Sequence, residues 1–342
     1  MSGPPPREDT LGVAIVGLGF MGQTHVRAFR GVQNARLIAV CDHDASRLDG
    51  RARGAGNIDT VTQGEQLFDP GEVRGYIDLA AMLADERIDA VSICTHTGTH
   101  AEIALAAIAA GKHVLIEKPV SLDPAEIESL DVAARRARVV AMPAMCMRFW
   151  PGWSWLKERI DAGDLGRVVS ATFHRLGSRP SWGTGFYDDE AKSGGALFDL
   201  HIHDTDVVRW LFGEPIAACS TGTTDHLTTL YRFERGPTHI VAEGGWGHRA
   251  SFGFRMRYVV VFEKGVAEFD LSRDTPLVLH DDTGSHTIPL PSGTGYDGEA
   301  RAFVHACIQG DSPPVTLADT AAVTRLLLAE RESVRTRREI IL

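Results

Sequence analysis

Near its start the chain runs from Val13-Ala-Ile-Val16 straight into Gly17-Leu-Gly-Phe-Met-Gly22, and no other feature narrows its possible folds as far. The apolar run reads as a buried strand, and the G-x-G-x-x-G spacing as a tight turn opening a helix near Met21. Glycines there let the backbone approach a pyrophosphate, and the helix N-terminus behind them supplies N–H groups and a positive dipole end. The next strand, Arg36 to Cys41, ends at Asp42, 20 residues past Gly22, where a carboxylate would accept from a ribose 2′-hydroxyl. Strand, glycines, helix, strand and acid in that order point to a dinucleotide site. Asp42 would repel a 2′-phosphate and so favours NAD; NADP is not excluded, because Arg47 stands near enough in sequence to accommodate that phosphate.

The alternation continues. A helix over Ile77 to Ala84 and a strand over Ile88 to Cys94 precede a helix over Thr99 to Ala110 and a strand over His113 to Ile116. Asp123-Pro124 opens a helix to Arg136, and Val139 to Met142 closes the series. Such βαβ units imply a doubly wound parallel sheet over residues 11–143. From about Ala144 the pattern changes to a helix (Trp153 to Ala162), a strand (Val168 to Arg175) and a long helix from Phe198 to Leu211. Five strands then follow between Ile216 and Asp270, and helices over Gly298 to Gln309 and Leu317 to Arg337 end the chain. Residues 144–342 therefore read as an α+β domain with a mostly antiparallel or mixed sheet.

Other classes are disfavoured. Residues 1–10 carry three consecutive prolines and charges but no apolar core, and read as a disordered leader rather than a signal peptide. No apolar run approaches the roughly 18 residues a membrane span needs. With 35 basic against 45 acidic residues the net charge is −10, and the one basic cluster, Arg331 to Arg338, reads as the solvated end of a helix. Nucleic acid is not an expected partner. The five cysteines lie at least 50 residues apart with no CxxC, which suits neither a metal site nor a disulfide framework. A reducing compartment, the cytoplasm, is the default.

Two further stretches could carry chemistry. Lys118, between Glu117 and Pro119, stands at the carboxyl end of a strand, where open α/β sheets bind ligands. In Gly194 to Asp206, a helix from Phe198 sets Asp199, His203 and Asp206 at i, i+4 and i+7 on one face. A carboxylate one turn from an imidazole orients it and raises its basicity, as a general base requires. The same residues also fit a capped helix with a structural histidine, and His201 with His203 would converge on a metal only in an extended segment. Trp182 and Tyr187 suit either stacking on a sugar ring or a place in the core or an interface.

Together GLGFMG, the stretch VSICTHTGTHAEIALAAIAAGKHVLIEKP and GGALFDLHIHDTD resemble the family of glucose–fructose oxidoreductase and inositol dehydrogenase (the Gfo/Idh/MocA family) across nearly the whole chain. The resemblance implies a Rossmann domain followed by a large open sheet that often makes the oligomer contact, and lets the last helices pack back on the first domain. It matches the family's EKP lysine to Lys118, its catalytic Asp and His to Asp199 and His203, and its Arg-Phe to Arg148-Phe149. It further implies cofactor contacts from Gly17, Gly19, Phe20, Met21, Gly22, Asp42, Thr95, Thr97, His100, Glu117 and Lys118. Substrate contacts are expected from Lys118, Arg148, Trp182, Tyr187, His201 and His203. The chain departs from the family in having His201 where glycine is common and His96 where proline is common. Both departures place imidazoles near the expected nicotinamide and substrate pocket. The glycine-rich stretch Gly50 to Gly75 is a third departure, with no role assigned.

The implied activity is an NAD(P)-dependent dehydrogenase acting on a secondary hydroxyl of a sugar or cyclic polyol. His203 would be the base, Asp199 its orienting group, Lys118 a donor to the reacting oxygen, and Asp206 helical support. A redox-neutral enzyme holding NAD tightly, of the glycoside-cleaving kind, is one alternative. A non-catalytic dinucleotide sensor is another, although that normally goes with loss of the lysine or histidine. Phe252, Phe254, Tyr258 and Phe262 on an open sheet face would be costly to leave wet, so a homodimer or homotetramer is expected.

Overall fold

The computed structural model describes residues 10–53, 56, 62–181 and 185–342. The expected leader (apart from Thr10) and Trp182 lie outside the described residues. The chain divides into two compact units.

The first unit comprises Met1–Ser121, Ala125–Ala144 and Tyr296–Asp319. Its strands are β1 (Leu11–Val16), β2 (Ala35–Cys41), β3 (Arg74–Tyr76), β4 (Ala90–Ile93), β5 (His113–Glu117) and β6 (Ala141–Ala144). They form one sheet in the order β3-β2-β1-β4-β5-β6, with every neighbouring pair parallel. All six residues of β1 are buried, as a central strand covered on both faces demands. The connecting helices are α1 (Phe20–Arg30), α2 (Leu79–Leu83), α3 (Thr97–Ala109) and α4 (Pro124–Ala137). The strand order reverses between β1 and β4, which opens a crevice at their carboxyl ends. Sequence reading missed β3, three residues with a glycine at the centre and no apolar run. It also began α2 too early: Asp78 accepts from the Ala81 N–H as N-cap, which leaves Ile77 outside and 67% exposed.

The second unit comprises Leu122–Pro124, Met145–Gly295 and Thr320–Leu342. After α5 (Pro151–Ala162) come β7 (Val168–Leu176), a short α6 (Glu190–Ser193), a π-helical turn at Leu197–His201 and α7 (Ile202–Phe212). The remaining strands are β8 (Ala217–Thr223), β9 (His226–Arg232), β10 (His239–Gly245), β11 (Arg255–Phe262), β12 (Gly265–Asp270), β13 (Leu277–Asp281) and β14 (Gly284–Thr287). Two long helices, α8 (Gly295–Gln309) and α9 (Leu317–Thr336), and the two-residue β15 (Ile340–Ile341) close the chain. The nine strands lie in the order β14-β13-β12-β11-β7-β10-β9-β8-β15, and only β7 with β10 is parallel. The β13–β14 hairpin was not expected. Its turn is set by Asp281, whose side chain accepts from the Thr283 N–H, and by Gly284 at φ 137°.

One face of this sheet is covered. Trp153 of α5 meets Phe269 edge-on at 4.6 Å and Tyr258 at 5.1 Å, and the Tyr258 hydroxyl donates to the Gly152 carbonyl at 2.8 Å. A Cβ on Gly152 would lie 2.5 Å from the Phe269 ring, so glycine is what lets α5 approach the sheet. These contacts correct the expected location of the aromatic stripe. Strand β11 alternates strictly: Met256, Tyr258, Val260 and Phe262 are buried, while Arg255, Arg257, Val259 and Val261 are half-exposed on the other face. Phe254 packs against Ala196, Leu200 and Trp246, and Phe252 stacks on His248 at 4.3 Å. The open face instead carries residues such as Thr172, Leu230, Val241 and Val259 in one cross-strand row.

The domain boundary also needs correction. Residues 296–319, which contain α8, belong with the first unit, where Phe303 meets Phe29 of α1 edge-on at 6.3 Å. It is the penultimate helix that completes the first unit; from Thr320 onward α9 belongs to the second.

Candidate active site

The three glycines of the turn do different work. Gly17 sits at φ +86°, and a Cβ there would lie 2.8 Å from the Cys94 carbonyl oxygen. A Cβ on Gly22 would fall 1.8 Å from the Gly17 carbonyl oxygen, so α1 can pack on the turn only without one. Gly19 is the N-cap of α1, and a Cβ there would meet nothing closer than Arg47 Nη1 at 4.0 Å. Space over Gly19, backbone N–H groups opening α1 and no acidic residue in its first turn suit a pyrophosphate. Phe20 and Met21, half-buried, begin that helix.

Asp42 stands where expected, at the end of β2, and is nearly buried. Its Oδ2 accepts from the Leu18 N–H at 2.7 Å and its Oδ1 from the Asp44 N–H at 2.9 Å, so it also ties the glycine turn to β2. Arg47 donates to the Leu18 carbonyl at 3.0 Å, on the same side as Asp42. His96, the N-cap of α3, belongs here too. Loss of hydration and the charges of His43 and Arg47 hold its imidazole below the ordinary value. Thr95 and Thr97 flank it at the carboxyl edge of the sheet, and the Thr99 hydroxyl donates to Thr95 Oγ1 at 2.8 Å.

Lys118 is half-buried and follows β5 directly, at the carboxyl edge of the sheet. Glu117 lies beneath it rather than facing the crevice, with one oxygen accepting from the Lys118 N–H at 2.9 Å and the other 2.9 Å from His25 Nε2. The other ring nitrogen of His25 is 2.7 Å from Ser92 Oγ. Burial alone would depress the His25 imidazole, but Cys94 and Glu117 outweigh it and raise His25 well above its ordinary value. Burial would likewise raise Glu117, but His25 and Lys118 hold it below the usual carboxylate range. Glu299 of α8 completes this interior group, pushed well above that range by burial. Sequence reading missed His25 and Glu299; a histidine and a glutamate on helix faces that should be apolar were the available signal. His100 also departs from expectation. Its ring nitrogens lie 2.9 and 3.0 Å from the carbonyls of Pro119 and Thr95, so it braces two turns from inside instead of facing a cofactor.

In the second unit the uninterrupted helix expected from Phe198 is replaced by a π-helical turn running into α7. The Leu197 N–H donates to the Thr224 carbonyl at 2.9 Å, outside the helix, as the segment begins. Asp199 is half-buried on the wide turn and His203 is 9% exposed one residue into α7, so the pair spans a change of helical pitch. Asp206 takes both Nη2 (2.6 Å) and Nε (2.9 Å) of Arg148, a residue outside its own helix. Arg148, expected at the substrate, is thereby held in a bidentate pair with a side chain only 8% exposed. Tyr187 packs edge-on against Trp246 at 5.5 Å, which favours its core alternative. His201 is corrected outright: it is fully buried, with Nε2 3.1 Å from Glu330 Oε2, and cannot line a pocket.

A family model described as "Oxidoreductase family, NAD-binding Rossmann fold" matches residues 11–145, and the GFO/IDH/MocA C-terminal domain model matches residues 153–268. The chain belongs to the GFO/IDH/MocA oxidoreductase family. The resemblance drawn from its motifs is borne out, as is the Rossmann domain followed by a large, mostly antiparallel sheet. Among its relatives, the myo-inositol 2-dehydrogenase of Thermotoga maritima is 26% identical, over 96% of this chain and 97% of that protein. Inositol 2-dehydrogenase 4 of Saccharopolyspora erythraea is 31% identical, over 79% of this chain and 76% of its own. The crystal structure of GenD2 from gentamicin A biosynthesis, in complex with NAD, superposes with a TM-score of 0.80 at 25% identity, covering 99% of each chain. The nicotinamide cofactor of the family is NAD, which the geometry around Gly19 and Asp42 suits.

Proposed function

We propose that this oxidoreductase removes hydride from a secondary hydroxyl of a cyclitol or sugar. What supports the reading is that Lys118, Asp199 and His203, the residues the motif resemblance matches to catalytic positions, each stand on a segment whose neighbouring side chains are anchored in the interior. Bound NAD supplies the hydride acceptor. A ring nitrogen of His203 takes the hydroxyl proton, with Asp199 favouring the charged imidazole that results. Lys118 Nζ donates to the reacting oxygen and stabilises its developing negative charge. The relatives named above as inositol dehydrogenases favour a cyclitol as substrate class. We also place the protein in a reducing compartment, in keeping with five cysteines, four of them buried, none of which forms a disulfide. No described helix is long and apolar enough to cross a membrane.

The test is absorbance of reduced nicotinamide with myo-inositol, scyllo-inositol and a panel of aldoses. Lys118→Ala and His203→Ala are each expected to lower turnover by about 10²–10⁴-fold while NAD binding, followed by tryptophan fluorescence, stays within about twofold. A variant keeping more than half of the parent turnover removes that residue from the mechanism. NAD that copurifies and is never reduced would favour redox-neutral chemistry instead.

A further inference from the structure

A buried cluster in the second unit is left unused by the mechanism just described. Glu330, on α9, is wholly buried among His201, Thr205 and Tyr231. The Tyr231 hydroxyl donates to Glu330 Oε1 at 2.8 Å, and Thr205 Oγ1 donates to the same oxygen at 3.2 Å. His201 Nε2 stands 3.1 Å from Oε2 and 3.4 Å from the Tyr231 hydroxyl. The sheet makes room for this ring: a Cβ on Gly244 of β10 would lie 2.7 Å from His201 Nδ1. Residues 201 and 205 are one turn apart and flank His203, so the carboxylate reaches the segment on both sides of it, to Thr205 directly and to His201 through the Tyr231 hydroxyl, while its Oε2 has no hydrogen-bond partner among the described residues.

We propose that Glu330, through His201 and Thr205, is a positioning residue that fixes the π-helical turn and with it the direction of His203. This rests on the reading of His203 as the general base. The wide turn ending at His201 is a rarely used helical form, found mostly as single turns within α-helices and frequently at functional sites. Left to backbone preference the segment would tighten into an ordinary α-helix and rotate His203 against Asp199. The Tyr231 contact at residue 201 and the Glu330 hydrogen bond at residue 205, both resting on the one carboxylate, oppose that change. Stability alone does not account for the cluster, because replacing both partners of a buried hydrogen bond by apolar groups of the same shape is often nearly neutral. The flanking residues point the same way: Asp204 is paired with Arg175 and Asp206 with Arg148, both in bidentate fashion.

Glu330→Gln, which keeps the shape and one acceptor, and His201→Phe, which fills the volume without a polar atom, are compared with the parent and with His203→Ala. Circular dichroism confirms folding, and Tyr231→Phe replaces any variant that does not fold. Two readouts are taken at one pH: the imidazole ring signals of His203, assigned by their loss in His203→Ala, and steady-state kinetics with myo-inositol and NAD. The expected result is displaced His203 ring signals in both variants, with kcat lowered about tenfold to a hundredfold and KM for both substrates within about twofold. Unmoved His203 signals in folded Glu330→Gln and His201→Phe overturn the proposal. Turnover lost in His203→Ala but retained in both variants overturns it as well. Turnover retained in His203→Ala sinks the base assignment instead, and the ring signals, which need no turnover, then decide the positioning claim alone.

Discussion

Gly19 and Gly22 separate two demands that a glycine motif usually confounds. Gly19→Ala adds a methyl to open space above the turn, so the apo protein should melt within about 1 °C of the parent, while NAD no longer raises its Tm as much. Gly22→Ala drives a methyl into the Gly17 carbonyl oxygen and should lower the apo Tm itself by several degrees, of order 1–3 kcal/mol of overpacking. Thermal melts with and without NAD distinguish the two; equal apo Tm losses would refute the division. Glu299 makes a second test. Its Oε2 has no hydrogen-bond partner among the described residues, and burial holds its proton to higher pH than in the unfolded chain. Folding therefore takes up a proton, and stability falls as pH rises from the ordinary carboxylate range toward the raised folded value. Glu299→Gln should match the parent near about pH 5 and melt roughly 2 °C or more above it at about pH 8. A variant less stable than the parent at the higher pH would mean that the ionised carboxylate is used.

At the scale of elements, α7 is held to its sheet by polar contacts as much as by apolar ones. Arg175 of β7 and Asp204 of α7 are 2% and 0% exposed and joined by two hydrogen bonds. Asp204→Asn or Arg175→Met alone should cost about 3–5 kcal/mol in urea unfolding, because each strands a buried charge. The double variant Arg175→Met with Asp204→Leu should cost less than either alone; a loss equal to the sum would show two independent contributions. Such elements also mark how far the sequence could be read. Strands β1, β2, β4, β5 and β11 stood out because their periodicity reports burial directly. The G-x-G-x-x-G turn and Asp42 stood out because phosphate and ribose chemistry constrain spacing along one stretch of chain. His25, Glu299 and Glu330 were hidden for the converse reason: each is polar in an apolar setting and is explained only by partners about 70 to 270 residues away. His201 was misplaced for the same reason, since helical arithmetic gives a direction around an axis but not what waits there. The π-helical turn has no signature in residue type at all.

For the whole molecule, assembly and chain order matter most. The uncovered face of the nine-stranded sheet, with Leu230 43% exposed in the row that runs through Val241 and Thr172 to Val259, is where we expect copies of the chain to associate. Leu230→Glu, on that face, should reduce the mass measured by light scattering to that of a smaller species while leaving the fold intact by circular dichroism. An unchanged mass would locate the contact elsewhere. The return of α8 to the first unit bears on how the protein is made. Roughly 150 residues separate Ala144 from Tyr296, and at about 5–20 residues per second translation needs ~8–30 s to deliver the helix that covers Phe29. Through that interval the cofactor-binding half is on the ribosome with its sheet complete and one flank bare. The half that is synthesised first is thus finished only when the second has been almost entirely translated, and a nascent chain stalled in between would be the form most in need of a chaperone.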